Sequence, residues 1–155
     1  MDASDVLRSA LLKVSESSAV KKLVVSAPVS RDVVGRYVSG EQVDDAVEVA
    51  AELGSTNRLC TIDFLGEYTT ERTQADTTRD TYLRLLAQLS DAGLSQAGRA
   101  EVSIKLSAIG LFLPQDGHEI ALANARAVCE AAAAAGTTVT LDMEDHTTTD
   151  RTLEV

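Results

Sequence analysis

Residues 101–106, Glu101-Val102-Ser103-Ile104-Lys105-Leu106, decide the fold. The stretch is short, alternates polar with apolar side chains and carries the β-branched Val102 and Ile104, which is the composition of a strand. Upstream, the spacing predicts a helix over Thr73–Asp91, with Tyr82, Leu83, Leu86 and Leu89 on one face and Gly93 ending it. Before that helix, Arg58–Phe64 is again short, apolar and β-branched, with a breaker at Gly66. Downstream, His118–Ala135 reads as a helix closed by Gly136, and Thr137–Met143 as a third strand. The order strand, helix, strand, helix, strand implies a parallel sheet with right-handed crossovers.

The repeat length narrows the architecture. Asp63, Lys105 and Asp142 stand near the ends of the three strands. They recur at about 40 residues, close to one unit of a barrel that has eight units in roughly 250 residues. No glycine fingerprint for a dinucleotide follows the first strand, which runs into Leu65-Gly66-Glu67-Tyr68, and this weighs against a doubly wound sheet. The expected fold is therefore α/β: the N-terminal part of a (β/α)8 TIM-type barrel, its first three β/α units, over residues 58–155. Residues 1–57 are expected to form a preceding helical arm. In it, Val6, Leu7, Leu11 and Val14 give a helical stripe, Ala27-Pro28 a break, and Gln42–Leu53 a second helix with Gly54 as its left-handed cap. Three parallel strands leave an open edge and an uncovered inner face, so the 155 residues are expected to be an incomplete barrel that aggregates or depends on a missing partner segment, its C-terminal half.

Composition removes several function classes. With 45% hydrophobic and 25% charged residues the chain has the makings of a packed core, not of a disordered segment. A net charge of −10 repels phosphate backbones, and 3% aromatics with no Trp leave little for base stacking, so no nucleic-acid partner is expected. Nothing reads as a signal or a membrane span, and Cys60 and Cys129 have no paired spacing. A reducing cytoplasm with both thiols as small core residues is the expectation.

Period two splits each strand into two faces. Val102, Ile104 and Leu106 oppose Ser103, Lys105 and Ser107; Val139, Leu141 and Met143 oppose Thr138, Thr140 and Asp142; Cys60, Ile62 and Phe64 oppose Thr61 and Asp63. With the apolar sets under the helices, the polar sets face the barrel interior. Lys105, Asp63 and Asp142 then meet near the C-terminal strand ends, where barrel enzymes keep their sites. Unpaired buried charge costs several kcal/mol, so these groups must neutralise one another or meet a charged ligand. The plainer alternative is a Lys–Asp pair that only ties neighbouring strands. Asp142, Glu144, Asp145 and His146 also have the look of a hard-cation site, but carboxylates after a strand are ordinary loop and helix-start residues, Thr147–Asp150 read as the next cap, and no metal is expected. His118 reads as the start of a solvated helix and Lys21-Lys22 as surface.

At these residues the sequence resembles the proline dehydrogenases. The matching pieces, in order, are Arg36-Tyr37-Val38-Ser39-Gly40-Glu41, Asp63-Phe64-Leu65-Gly66-Glu67, Val102-Ser103-Ile104-Lys105-Leu106-Ser107 and Leu141-Asp142-Met143-Glu144-Asp145. The resemblance implies a barrel holding FAD across its strand ends and oxidising L-proline to Δ1-pyrroline-5-carboxylate, with a quinone as electron acceptor and peripheral contact with the inner face of the membrane. It makes Lys105 a residue that helps bind the substrate carboxylate, Asp142 a catalytic acidic group and Met143 a backbone contact of the flavin. The family's later strands, a tyrosine near the substrate and two arginines that clamp the carboxylate would lie beyond the residues present. Two alternatives stay open: a Schiff-base lysine lyase of the aldolase kind on Lys105, and a non-catalytic fragment.

Overall fold

The computed structural model describes residues 38–66, 69–143, 146 and 148–155. The expected helical stripe of Val6, Leu7, Leu11 and Val14, the Lys21-Lys22 pair and the break at Ala27-Pro28 lie outside them. Residues Glu41–Val155 form one compact unit. Its elements are helix α1 (Val43–Ser55), strand β1 (Cys60–Asp63), helix α2 (Arg72–Asp91), a 3₁₀ turn (Gln96–Gly98), strand β2 (Ala100–Lys105), helix α3 (Gly117–Ala135), strand β3 (Val139–Asp142) and the short helix α4 (Thr149–Glu154). The three strands form a parallel sheet in the order β1-β2-β3. This is the alternation read from the sequence, with strand ends shifted by a residue or two.

The core lies between the sheet and α1, α2 and α3. Val102, Ile104 and Leu106 are buried against Tyr82, Leu85, Leu86 and Leu89 of α2 and Ala121, Ala125, Val128 and Ala132 of α3. Small alanines along α3 let it come close to α2 without leaving voids. Between the two helices, Arg79 pairs with Asp76 and Asp80 and donates to Asn124 Oδ1 at 3.1 Å. The apolar set of β3 is less covered: Leu141 is 39% exposed, on one of the two edge strands of the described sheet.

Helices α1, α2 and α3 end on the same device. The residue at the turn takes a left-handed conformation, and the next amide reaches back five residues: Arg58 to Leu53, Leu94 to Leu89, Thr137 to Ala132. Gly93 and Gly136 fill that position as the sequence predicts. In α1 the residue is Asn57, at φ 60°, not Gly54, which lies inside the helix. Asn tolerates this conformation because its short amide can bond locally, and this carries α1 past the glycine to Ser55. Of the two thiols, Cys60 packs against the core as expected and Cys129 does not. Cys60 is half-buried and Cys129, on the outer side of α3, is exposed, since α3 presents only one stripe to the core.

The segment after β2 had no periodicity to read, yet it is part of the core. Leu106, Ala108, Ile109, Leu111 and Leu113 are buried there. A buried loop needs partners for its backbone. Asn124 Nδ2 donates to the Ile109 carbonyl at 3.0 Å, Thr69 donates through its amide and hydroxyl to the Ser107 carbonyl, and Arg151 donates to the Leu111 carbonyl at 3.0 Å while its guanidinium sits 4.8 Å from the Phe112 ring centre. The loop directly follows Lys105, so these bonds also fix the end of β2.

Candidate active site

Register brings the ionisable strand ends together. Lys105 stands level with Asp142 on β3, and Asp63 on β1 stands level with Ser103, one inward-facing position below the lysine. Lys105 therefore meets a carboxylate from each side. Its Nζ is in direct contact with Asp63 Oδ2 and lies 3.5 Å from Asp142 Oδ2. Being on the central strand it is the most enclosed of the three, 14% exposed against 29% for Asp63 and 47% for Asp142. Burial alone would lower the lysine's pKa, but hydrogen bonding and attraction, first from Asp63 and then from Asp142, outweigh it and raise the value above its ordinary 10.5. The result is a fixed cation at the mouth of the sheet.

Asp63 is itself supported from below. Tyr82 of α2 is fully buried, its ring edge-on to Phe64 with centroids 6.4 Å apart, and its hydroxyl reaches the strand ends. That oxygen accepts from the Phe64 amide at 3.0 Å and offers its proton to the Ser103 carbonyl at 2.7 Å and to Asp63 Oδ1 at 3.2 Å. The sequence marked Tyr82 only as part of an apolar stripe. No spacing rule could have found its hydroxyl partners, which come from two other elements.

A second polar layer lies nearer the strand starts. Glu101 accepts hydrogen bonds from Thr61 Oγ1 at 2.9 Å, from Thr138 Oγ1 and from Thr140 Oγ1 at 3.3 Å. These bonds, led by that from Thr138, hold its carboxyl below the usual value of 4.5. Extending the alternation of Ser103 and Lys105 back by two residues would have placed Glu101 on the same face.

The remaining candidates fall as follows. Met143 comes directly after Asp142 and is 46% exposed. Glu144 and Asp145 lie outside the described residues; His146 is exposed, and among the described residues no group of three or more His, Cys, Asp or Glu side chains is arranged to hold a metal. Ser107, expected on the lysine's face, lies in the turn after β2 and is buried with no hydrogen-bond partner for its hydroxyl among the described residues. His118 is the second residue of α3 and half-exposed.

Comparison with known proteins bears on what this cluster is. The proline dehydrogenase family profile matches residues 46–155. A proline dehydrogenase of Deinococcus radiodurans is 31% identical over 147 residues, which is 95% of this chain and 46% of that protein. Proline dehydrogenase 1 of Bacillus subtilis is 29% identical over 150 residues, 97% of this chain and 47% of that protein. The chain thus spans about half the length of the curated relatives it matches. Among solved structures, proline utilization A from Bdellovibrio bacteriovorus, inactivated by N-propargylglycine, superposes with a TM-score of 0.68 at 21% identity, covering 81% of this chain and 15% of that one. That likeness shows a shared fold, in which the three parallel strands correspond to part of a TIM-type barrel.

Proposed function

This chain belongs to the proline dehydrogenase family, and we propose that its strand-end cluster binds L-proline for oxidation to Δ1-pyrroline-5-carboxylate. The observation that carries the reading is the Lys105 ammonium, enclosed on the inner face and held charged by Asp63 and Asp142. A compact point charge of this kind suits a substrate carboxylate. Asp142, more exposed than Asp63, presents an acceptor to the amine N–H of a substrate bound by Lys105. Holding both ends of the amino acid fixes the carbon beside nitrogen, from which a hydride leaves as the amine proton is lost and a C=N bond forms.

FAD fits the residues at hand. Leu65 after β1 and Met143 after β3 are 66% and 46% exposed on either side of the β2 end, an apolar surface of the kind a planar ring covers. Met143 would lie against it through its backbone. The flavin, when bound, supplies the sink for the hydride. A quinone is proposed as the final acceptor, with the protein meeting the inner membrane face only peripherally from the cytoplasm; among the described residues no helix is long and apolar enough to cross a membrane.

The geometry favours this over a Schiff-base lyase. An amine nucleophile needs a lowered pKa, whereas two carboxylates keep Lys105 protonated. The test is proline-dependent dye reduction by the full-length protein, with flavin measured by absorbance. Bound flavin and turnover of proline are expected. A folded, flavin-loaded protein inert toward proline would overturn the reading.

A further inference from the structure

A lysine ammonium sits on four rotatable bonds, so its charge is easily supplied and its position is not. What fixes that position here comes from below. Asp142 is the more exposed partner and stands 3.5 Å away; Asp63 is more enclosed and in direct contact. The second oxygen of Asp63 faces the Tyr82 hydroxyl, which is also bonded to the Phe64 amide and the Ser103 carbonyl. Tyr82 is thereby tied to the ends of two strands while its ring is locked in the core of α2. A phenylalanine would fill the same space. Burying a hydroxyl gains nothing for packing and must be repaid by bonds, and here the bonds lie at the strand ends under the lysine.

We propose that Tyr82 and Asp63 form a positioning pair that sets where the Lys105 ammonium stands, transmitting the rigidity of α2 to the substrate's carboxylate contact. The proposal rests on the reading that Lys105 holds that carboxylate. Neither residue need touch substrate. Asp142 remains beside the lysine when Asp63 is changed, so the loss of Asp63 moves the cation more than it discharges it.

The experiment uses the full-length flavoprotein with Asp63→Asn, Asp63→Glu and Tyr82→Phe, each on the wild-type and the Lys105→Ala background. On the wild-type background, Asp63→Asn should lower kcat/KM for proline about tenfold, Tyr82→Phe less, and Asp63→Glu should recover part of the loss. On the Lys105→Ala background none of the three should lower it further. Equal losses on both backgrounds would mean a merely structural role, and an unchanged or raised kcat/KM in Asp63→Asn would make Asp63 only a counter-charge; either overturns the proposal. Lys105→Ala itself unchanged toward proline would sink the reading of the lysine instead. The pair is still decided by crystal structures of the variants, in which Nζ should move by roughly 1 Å, enough to cost catalysis. An unmoved Nζ overturns the proposal whatever the kinetics.

Discussion

Lys105 shows how one residue can be partly buried and still charged. Enclosure works against its ammonium, and two carboxylates on adjacent strands more than compensate. A raised pKa means the stabilising contribution is complete below the ordinary value near 10.5 and disappears only as pH rises through the folded value, so the cation is constant across any physiological range. Tyr82 is the residue on which the cluster leans. Tyr82→Phe keeps the ring but strips a partner from the part-buried Phe64 amide and from the buried Ser103 carbonyl. Chemical denaturation of the full-length protein should show a loss of about 1–3 kcal/mol. Lys105 and Asp142 were legible because period two in a short strand assigns faces without knowledge of the rest of the fold. The hydroxyl of Tyr82 was not, since its partners at Phe64, Ser103 and Asp63 meet it only through the crossover from β1 to α2 and the pairing with β2.

At the scale of elements, β2 organises the site because it is central: it carries Lys105 near one end and Glu101 near the other, each satisfied from both neighbouring strands. Glu101 has a depressed pKa, so it adds stability above the ordinary value of about 4.5, and that increment is lost as pH falls through the folded value. The stability gap between wild type and Glu101→Gln should therefore narrow below about pH 4.5, as followed by denaturant titration at several pH values. The loop after β2 makes a sharper demand. Gly110 has φ +114°, and a Cβ there would lie 2.8 Å from Ile120 Cγ2 and 3.2 Å from Leu113 Cδ1. Gly110→Ala should cost about 2–4 kcal/mol by the same measurement, from backbone strain and overpacking together. The sequence showed where helices stop in two of three cases. At α1 it named a glycine when an asparagine three residues on held the turn, since left-handed geometry is open to both. The buried loop stayed unread because its apolar residues follow neither period and its backbone partners, Asn124 and Arg151, belong to later helices.

Over the whole molecule, the parallel β/α alternation was readable from Arg58 onward because each helix and strand carried its own period and its own stop. Coverage was not readable. Leu141 has the pattern of a core residue and is 39% exposed, and Leu65 after β1 and Met143 after β3 are exposed as well. Pattern shows which face is apolar; only neighbouring elements decide what covers it. The chain spans about half the length of its relatives, so the proposal that Lys105 and Asp142 serve proline oxidation is best tested in the full-length protein. The most direct measurement is anaerobic bleaching of the bound flavin by proline, titrated for wild type and Lys105→Ala. Wild type should bleach at low proline, and the variant should need at least about tenfold more while binding flavin equally well. Identical titrations for the two proteins would contradict the account.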